Sequence, residues 1–364
     1  MTIQIESLGN TDRDRYEAVL ARLQSDERTE QHVTFFHTWE WGEVLSHRAD
    51  QFERVQITRD GDPIAVGQLA LHHDHRIAYW YMPRGLAMDY ADTAAVGQAY
   101  DALREYCRGL GRRSAFLRVD PNLVQGDTTE ATLADLGARK AAIFHQVERC
   151  WITEIHPTEE DQLAYMKAHG MRSEVWRRVK KSRKSGLTVR ESSDPADLET
   201  LIRLLHALDE RKGGIGMHPD QHYRTQFEQL APAGYQRVFL AELDGQVAAA
   251  NLMAVYGGEA SWLHGATSTE PELRKLSGAY QLHFETMLWL AENRPQVRRY
   301  NFWGIVSDEN YHDGHPRYGY SHFKRSFGGY KVEYIRAREF VFRPLERSVL
   351  YAADVYRTRK HQND

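Results

Sequence analysis

The chain has 364 residues, of which 41% are apolar and 27% charged, and a formal net charge of −4. Such a composition excludes a disordered or fibrous protein, and the length is enough for two or three domains. The negative balance means that any contact with nucleic acid has to come from a local basic patch. Two cysteines, Cys107 and Cys150, exclude a disulfide scaffold and a Cys-rich zinc site and fit a reducing compartment. The 18 histidines are scattered without H-E-x-x-H or similar ligand spacing, so no metal is expected. The N-terminus lacks a charged segment followed by an apolar run, so no signal peptide is expected. No stretch approaches the roughly 18 apolar residues of a membrane span. The expected location is the cytoplasm.

In chain order, apolar residues at helical spacing predict a helix over Asp12–Gln24. His32–Leu45 carries Trp39 and Trp41 beside Glu40 and Glu43 where a loop turns into a helix, either as core packing or as a pocket wall. Phe52–Thr58, Pro63–Leu71 and Ile77–Tyr81 read as three strands, with Asp60-Gly61-Asp62 as a hairpin turn. Ala94–Gly109 reads as a helix, Ser114–Val119 as a strand, Thr128–Leu136 as a helix and Val147–Glu154 as a strand. The pattern then returns. Glu159–Lys167, Met171–Lys184, Asp194–Lys212 and His218–Leu230 read as helices, with a strand at Leu187–Glu191. Arg237–Leu243, Gln246–Tyr256 and Glu259–Ala266 make a second meander, turned at Asp244-Gly245 and Gly257-Gly258. Ser277–Asn293 is a long helix, Arg299–Trp303 a strand, Ser321–Phe327 a short helix, Lys331–Phe342 a final strand and Leu345–Arg359 a terminal helix.

Two units of helices, a three-stranded meander, a helix and a strand amount to an internal duplication. The unit resembles that of the GCN5-related N-acyltransferase (GNAT) fold. The expected class is therefore mixed α+β: two tandem GNAT-like domains, each a mostly antiparallel sheet flanked by helices. The boundaries fall at residues 1–155, completed by 336–364, and at 156–335.

Four stretches carry chemistry. Lys167–Gly186 holds eight Lys or Arg against one Glu. Met171, Val175, Trp176 and Val179 share one helical face, while Arg172, Arg177, Arg178, Lys180, Lys181 and Lys184 cover the rest. A row of cations on a helix suits a polyphosphate, an anionic membrane surface, or simply solvent. Arg211–Tyr223 is a glycine-rich connector ending in His218, His222 and Tyr223, read as a plain linker or as the rim of a substrate site. Trp262–Ser268 closes the second meander. The following Lys275-Leu276-Ser277-Gly278-Ala279 matches a coenzyme A pyrophosphate loop poorly, which argues against an ordinary CoA enzyme. Last comes Tyr300–Ile335, where Phe323-Lys324 is the candidate reactive pair. Acyl transfer from an ester to an amine builds negative charge on the carbonyl oxygen, and a fixed ammonium is an economical way to offset it. The alternative makes Lys324 a surface lysine on a short helix. Neither Cys107, mid-helix, nor Cys150, mid-strand, is placed as a nucleophile.

At these residues the chain resembles the Fem family of aminoacyl-tRNA-dependent transferases, which build peptidoglycan interpeptide bridges. The resemblance covers most of the chain. It rests on W-E-W-G (Trp39–Gly42), Y-M-P-R-G (Tyr81–Gly85), the basic helix, and F-K-R-S-F-G-G-Y-K-V-E-Y-I from Phe323. It implies two GNAT-like domains, an aminoacyl-tRNA donor and a peptidoglycan-precursor amine, lipid-linked or UDP-linked, as acceptor. It also implies that Phe323 and Lys324 lie beside the transferred group, with Lys324 facing the oxyanion. No cofactor is implied. The long coiled-coil arm of some members is missing. Positions that bind the muropeptide diphosphate in the family fall here on Glu43, His218, His222, Tyr223 and His264. Glu43 would repel a phosphate, so another lipid-linked precursor, a small peptide or a secondary metabolite stays open as acceptor. The expected activity is aminoacyl transfer from tRNA in the cytoplasm, with peripheral contact at the inner membrane face. The alternatives are an acyl-CoA-dependent GNAT N-acyltransferase and a non-enzymatic tRNA- or membrane-binding module.

Overall fold

The computed structural model describes residues 2–363 apart from His75, Gly111, Arg112, Asp127, Phe144 and Ile215; the side chains of Thr129 and of residues 358–363 are not among those described. His75, between the second and third expected strands, and Ile215, in the glycine-rich connector, thus lie outside the described residues. The chain forms two compact units, Met1–Glu148 with Glu333–Asp364, and Arg149–Val332.

The first unit runs β1 (Ile3–Ser7), α1 (Arg13–Gln24), α2 (Trp39–Ser46), β2 (Phe52–Arg59), β3 (Asp62–Asp74), β4 (Ile77–Met82), β5 (Ala87–Met88), α3 (Thr93–Gly109), β6 (Ser114–Val119), α4 (Thr128–Asp135) and β7 (Arg139–Lys140). The second runs β8 (Arg149–Glu154), α5 (Glu159–Ala168), α6 (Ser173–Lys184), β9 (Thr188–Ser192), α7 (Pro195–Lys212), α8 (Asp220–Leu230), β10 (Gln236–Leu243), β11 (Gln246–Tyr256), β12 (Glu259–Thr267), α9 (Pro271–Lys275), α10 (Gly278–Asn293), β13 (Arg299–Gly304), α11 (Tyr318–Ser326) and β14 (Tyr330–Glu333). The chain then rejoins the first unit as β15 (Arg338–Val341) and α12 (Pro344–Asn363).

Among the described residues the first sheet has the order β1-β2-β3-β4-β6-β15-β7, with β5 beside β3. The second has β9-β10-β11-β12-β13-β8-β14. Position for position the two orders correspond. Both first hairpins turn on Asp-Gly with positive φ at both residues: 51° and 91° at Asp60-Gly61, 50° and 76° at Asp244-Gly245. This is the turn whose twist suits a two-residue hairpin. In both, the register slips just before the turn, between Ile57 and Thr58 and between Ala241 and Glu242.

Two expectations are corrected. The single strand expected over Lys331–Phe342 is two strands in two sheets: β14 flanks β8, while β15 inserts between β6 and β7. The break falls where Tyr334 N–H donates to Glu148 O and Ile335 N–H to Leu123 O, outside either strand's ladder. In addition β1 extends the first sheet, pairing Ile3 with Arg59 through Ser7 with Val55. The alternation of I-Q-I-E is the sequence signal for it.

The cores follow from helical periodicity. Val96, Ala99, Tyr100, Leu103 and Cys107 of α3 fall on one face and are buried against the first sheet. In the second unit α10 buries Leu282, Phe284, Met287 and Leu290 on one side of the sheet, and α7 buries Leu198, Leu201, Ile202 and Leu205 on the other. Among the described residues no helix is long and apolar enough to cross a membrane.

The two units differ at their parallel strand pair. In the first, β4 and β6 stay paired from Ala78–Ser114 to Met82–Val119. In the second, β12 and β13 pair only over Glu259–Ser261 with Arg299–Asn301, then part. Beyond that point Trp303 takes a left-handed φ of 66°, held by its N–H donating to Asn301 Oδ1 at 2.8 Å. The open splay belongs to the second unit.

Candidate active site

Lys324, on α11, is fully buried. Its Nζ donates to Gly304 O at 2.8 Å, at the frayed end of β13, and to Tyr320 Oη. The nitrogen also lies 3.7 Å from the Tyr320 ring centre and 4.9 Å from that of Trp262 on β12. Lys324 therefore bridges the two parted strands. Burial pushes its pKa well below the ordinary lysine value, while the two acceptors and two aromatic faces favour the charged form. The surface-lysine alternative is overturned.

Phe323 packs with ring centres 4.9 Å from Tyr280, 5.2 Å from Phe327 and 6.1 Å from Trp262. Below these rings His283 is buried 2.6 Å from Tyr300 Oη, and burial first, then Lys324, pushes its pKa far down. It is a neutral floor under an apolar wall.

The end of α11 is fixed by two glycines. Gly328 and Gly329 have φ of 83° and 118°. A Cβ on Gly328 would meet Met166 O at 2.5 Å, and one on Gly329 would overlap Ile152 O. Only glycine serves there. Arg325 is held between the Trp151 and Tyr311 rings, at 5.3 and 4.3 Å, and donates to Asp308 at 2.8 Å. Lys331 also donates to Asp308, at 2.5 Å, and hydrogen bonds from Lys331 and Arg325 hold that carboxyl below the usual range. These contacts tie the polar loop ahead of α11 to the helix.

Four of the five residues expected at an acceptor site come together. His218 and His222 ring centres are 4.2 Å apart, His218 and His264 6.0 Å, and Tyr223 and His264 4.9 Å. Tyr223 Oη accepts from His218 N–H at 3.2 Å. Burial, aided by His218, pushes His264 down to about 3. This cluster lies on the α7–α8 face of the second sheet, whereas Lys324 lies on the α10 face. The register slips between Leu252 and Met253, so Leu263 is bulged out of the ladder. Trp262 then pairs with Met253 and joins the α10 core, while His264 pairs with Leu252 beside the α7 core. Without the bulge, residues two apart would share a face. The fifth, Glu43, belongs to the first unit, where it accepts from Arg54 Nη2 at 2.5 Å. Arg54 itself stacks 3.8 Å above Trp39. The charge expected to repel a phosphate is thus compensated locally.

On α6, Val175, Val179 and Ser182 are buried. Arg177, Lys180, Lys181 and Lys184 are exposed at i, i+3, i+4 and i+7 and form one outer stripe, with Arg172 exposed just ahead of the helix. Arg178 instead turns inward, 4.9 Å over Tyr280 and 3.4 Å from Ser277 Oγ. Lys181 Nζ donates to Lys275 O at 2.8 Å. Arg178 and Lys181 therefore cover the start of α10.

Sequence reasoning missed Tyr320, whose spacing of four before Lys324 on a helix was the available signal. It also missed Asp120. This carboxyl is buried and accepts from Arg84 N–H at 2.8 Å and Tyr81 Oη at 2.9 Å. Burial raises its pKa to about 6. In sequence, an Asp at a strand end before proline reads only as a stop.

Family models match the chain twice: the FemAB family over residues 25–246, and the acetyltransferase (GNAT) domain over 169–325. The solved structure of FemX superposes with a TM-score of 0.79 at 18% identity, covering 96% of this chain and 100% of that one. A conserved protein of unknown function from Bacteroides thetaiotaomicron gives 0.57 at 12% identity, covering 94% and 100%. A tandem GNAT protein from the clavulanic acid biosynthesis pathway gives 0.52 at 15%, covering 93% and 98%. At these identities the likeness is one of fold: two GNAT-like sheets flanked by helices. No curated protein matches the chain.

Proposed function

Because the chain belongs to the FemAB family and is an acyltransferase by fold and family, we propose that it moves an amino acid from aminoacyl-tRNA to an amine of a peptidoglycan precursor, in the cytoplasm at the inner membrane face. The observation that carries this reading is Lys324, buried at the strand splay against the Trp262 and Tyr320 rings. The acceptor amine attacks the aminoacyl ester carbon, the carbonyl electrons move to oxygen, and Lys324 offsets the charge. Collapse re-forms the carbonyl and expels the ribose oxygen, which leaves with the proton the amine gives up. No covalent enzyme intermediate is needed. Cys107 and Cys150 are both buried, and burial pushes the Cys107 thiol up, away from the reactive thiolate.

The outer stripe of α6 suits the tRNA backbone. His218, His222, Tyr223 and His264 suit the acceptor. The GNAT-domain match favours a second reading, an N-acyltransferase using acyl-CoA. Against it, Lys324 bridges the splay, and Arg178 and Lys181 cover the start of α10, where a pyrophosphate would be held by backbone N–H groups.

The test uses total tRNA charged with radiolabelled amino acids and a UDP-linked muropeptide pentapeptide as acceptor. Label passing to the muropeptide supports the reading, and the amino acid moved names the tRNA. No transfer, with acetyl-CoA or another CoA thioester raising the melting temperature instead, would replace it by the acyl-CoA reading.

A further inference from the structure

Lys324 cannot meet a substrate oxygen directly. Its Nζ is enclosed by the Gly304 carbonyl, the Trp262 face and, on the solvent side, Tyr320. Tyr320 precedes it by four residues on α11, so both side chains lie over the same helical face. Tyr320 is 48% exposed while Lys324 is 0% exposed. A ligand arriving from solvent therefore touches Tyr320 and finds Lys324 sealed behind it. Tyr320 Oη accepts from Lys324, and its own hydrogen has no acceptor among the described residues.

We propose that Tyr320 is a further catalytic residue: its hydroxyl, backed by the Lys324 N–H, is the donor that meets the carbonyl oxygen of the transferred aminoacyl group. This rests on the aminoacyl-transfer reading. A cation donating into Oη strengthens the O–H as a donor, because hydrogen bonds in series polarise one another. Desolvation by the protein around the Lys324–Tyr320 contact raises the phenol pKa and keeps it protonated, which a donor requires. As the N–C bond forms, the carbonyl electrons move to oxygen and that oxygen draws on the Tyr320 O–H. As the C–O bond to ribose breaks, the carbonyl returns and the hydrogen bond relaxes. The proton that leaves with ribose comes from the attacking amine. Neither Tyr320 nor Lys324 loses a proton over the cycle.

A chain of two donors makes a prediction that a simple ring lid does not. With aminoacyl-tRNA and the UDP-linked muropeptide, Tyr320→Phe keeps the ring and removes the hydroxyl. Its kcat falls about a hundredfold, as for an oxyanion donor, while KM for the tRNA stays within about twofold. Lys324→Met loses a similar factor, and the double variant loses no more than either alone, because each cuts the same chain. Wild-type kcat in Tyr320→Phe, or losses that multiply in the double variant, overturn the proposal.

A second measurement needs no substrate. Lys324 labelling by trinitrobenzenesulfonate, followed by peptide mass mapping, is slow in the unaltered protein and in Tyr320→Phe and fast in Tyr320→Ala. Equal rates in the unaltered protein and Tyr320→Ala would mean that Lys324 is not capped, and overturn the relay whatever the donor. If the unaltered protein transfers nothing from aminoacyl-tRNA, the underlying reading falls and takes the relay with it. Transfer by the unaltered protein, and equally by Tyr320→Phe, removes the relay alone.

Discussion

Lys324 joins two demands that oppose one another. Burial favours the neutral amine, and oxyanion stabilisation needs the ammonium. The sign of the pH dependence follows. A lysine whose pKa is lowered loses its proton sooner as pH rises, so kcat falls on the basic side, below the ordinary lysine range. In Lys324→Met, kcat is lower by about two orders of magnitude and that basic limb is gone, with tRNA affinity retained. Stopped-time transfer across a pH series checks it, and an unchanged limb would assign the titration elsewhere. Asp120 makes a separate prediction about stability. Its folded pKa of about 6 stands above the unfolded value, so the folded state holds the proton more tightly. That stability is fully present below about pH 4 and is lost as pH rises through 6, by roughly 2–3 kcal/mol. Asp120→Asn cannot ionise, so its urea midpoint declines less between pH 4 and pH 7 than that of the unaltered protein. Parallel declines would discard the assignment.

At the scale of elements, α6 shows how a charge run divides once the helix packs. Arg183 is tied to Glu159 and Glu285 at 2.8 and 2.6 Å, and Arg178 to the start of α10. Arg177, Lys180 and Lys184 remain for a polyanion, beside Lys181, which is exposed while donating to Lys275 O. Reversing Arg177, Lys180 and Lys181 to Glu is expected to weaken tRNA binding and to flatten its log–log salt slope by about 0.7–0.9 for each phosphate no longer neutralised. Filter binding at several salt concentrations reads this directly, and an unaltered slope would take α6 out of the tRNA site. The bulge at Leu263 is the smallest element with the largest effect on the site. One extra residue in β12 sends Trp262 to Lys324 and His264 to His218.

Over the whole molecule the chain uses its C-terminus to finish the unit it began. β15 fills in the first sheet the place that β8 fills in the second. The joint is a buried ion network: Glu339 accepts from Arg118 at 2.5 and 2.9 Å and from Arg347 at 2.9 Å, while Asp354 accepts from Arg118 at 3.3 Å. Burial opposes the Arg118 charge, but Glu339 beside it raises the pKa overall. Glu339→Gln leaves two buried guanidinium groups short of charge compensation. It is expected to cost about 3–5 kcal/mol in urea unfolding, far more than an exposed pair such as Lys275–Glu272. A loss near that of a surface pair would mean that the Glu339 charge is not what holds this joint.

Much of this was legible in the sequence because it depends on near neighbours. The Asp-Gly turns, the strand alternation and the helical stripes of α3 and α10 are set by residues within one or two turns of each other. That made the two meanders, the mixed α+β class and the basic face of α6 readable in order. The Phe323-Lys324 pair was visible as a motif, but whether its lysine was exposed or buried was not. Its environment is assembled from β12, β13 and α11, brought together from positions 262 to 324. The same holds for the split of Lys331–Phe342, whose two halves are equally good strands by propensity and differ only in the sheet that receives each. Local composition determined which elements form. Which strands part, which lysine is sealed, and which tyrosine stands in front of it were decided by contacts distant in sequence, because burial and hydrogen-bond partners belong to the packed structure and not to the residue.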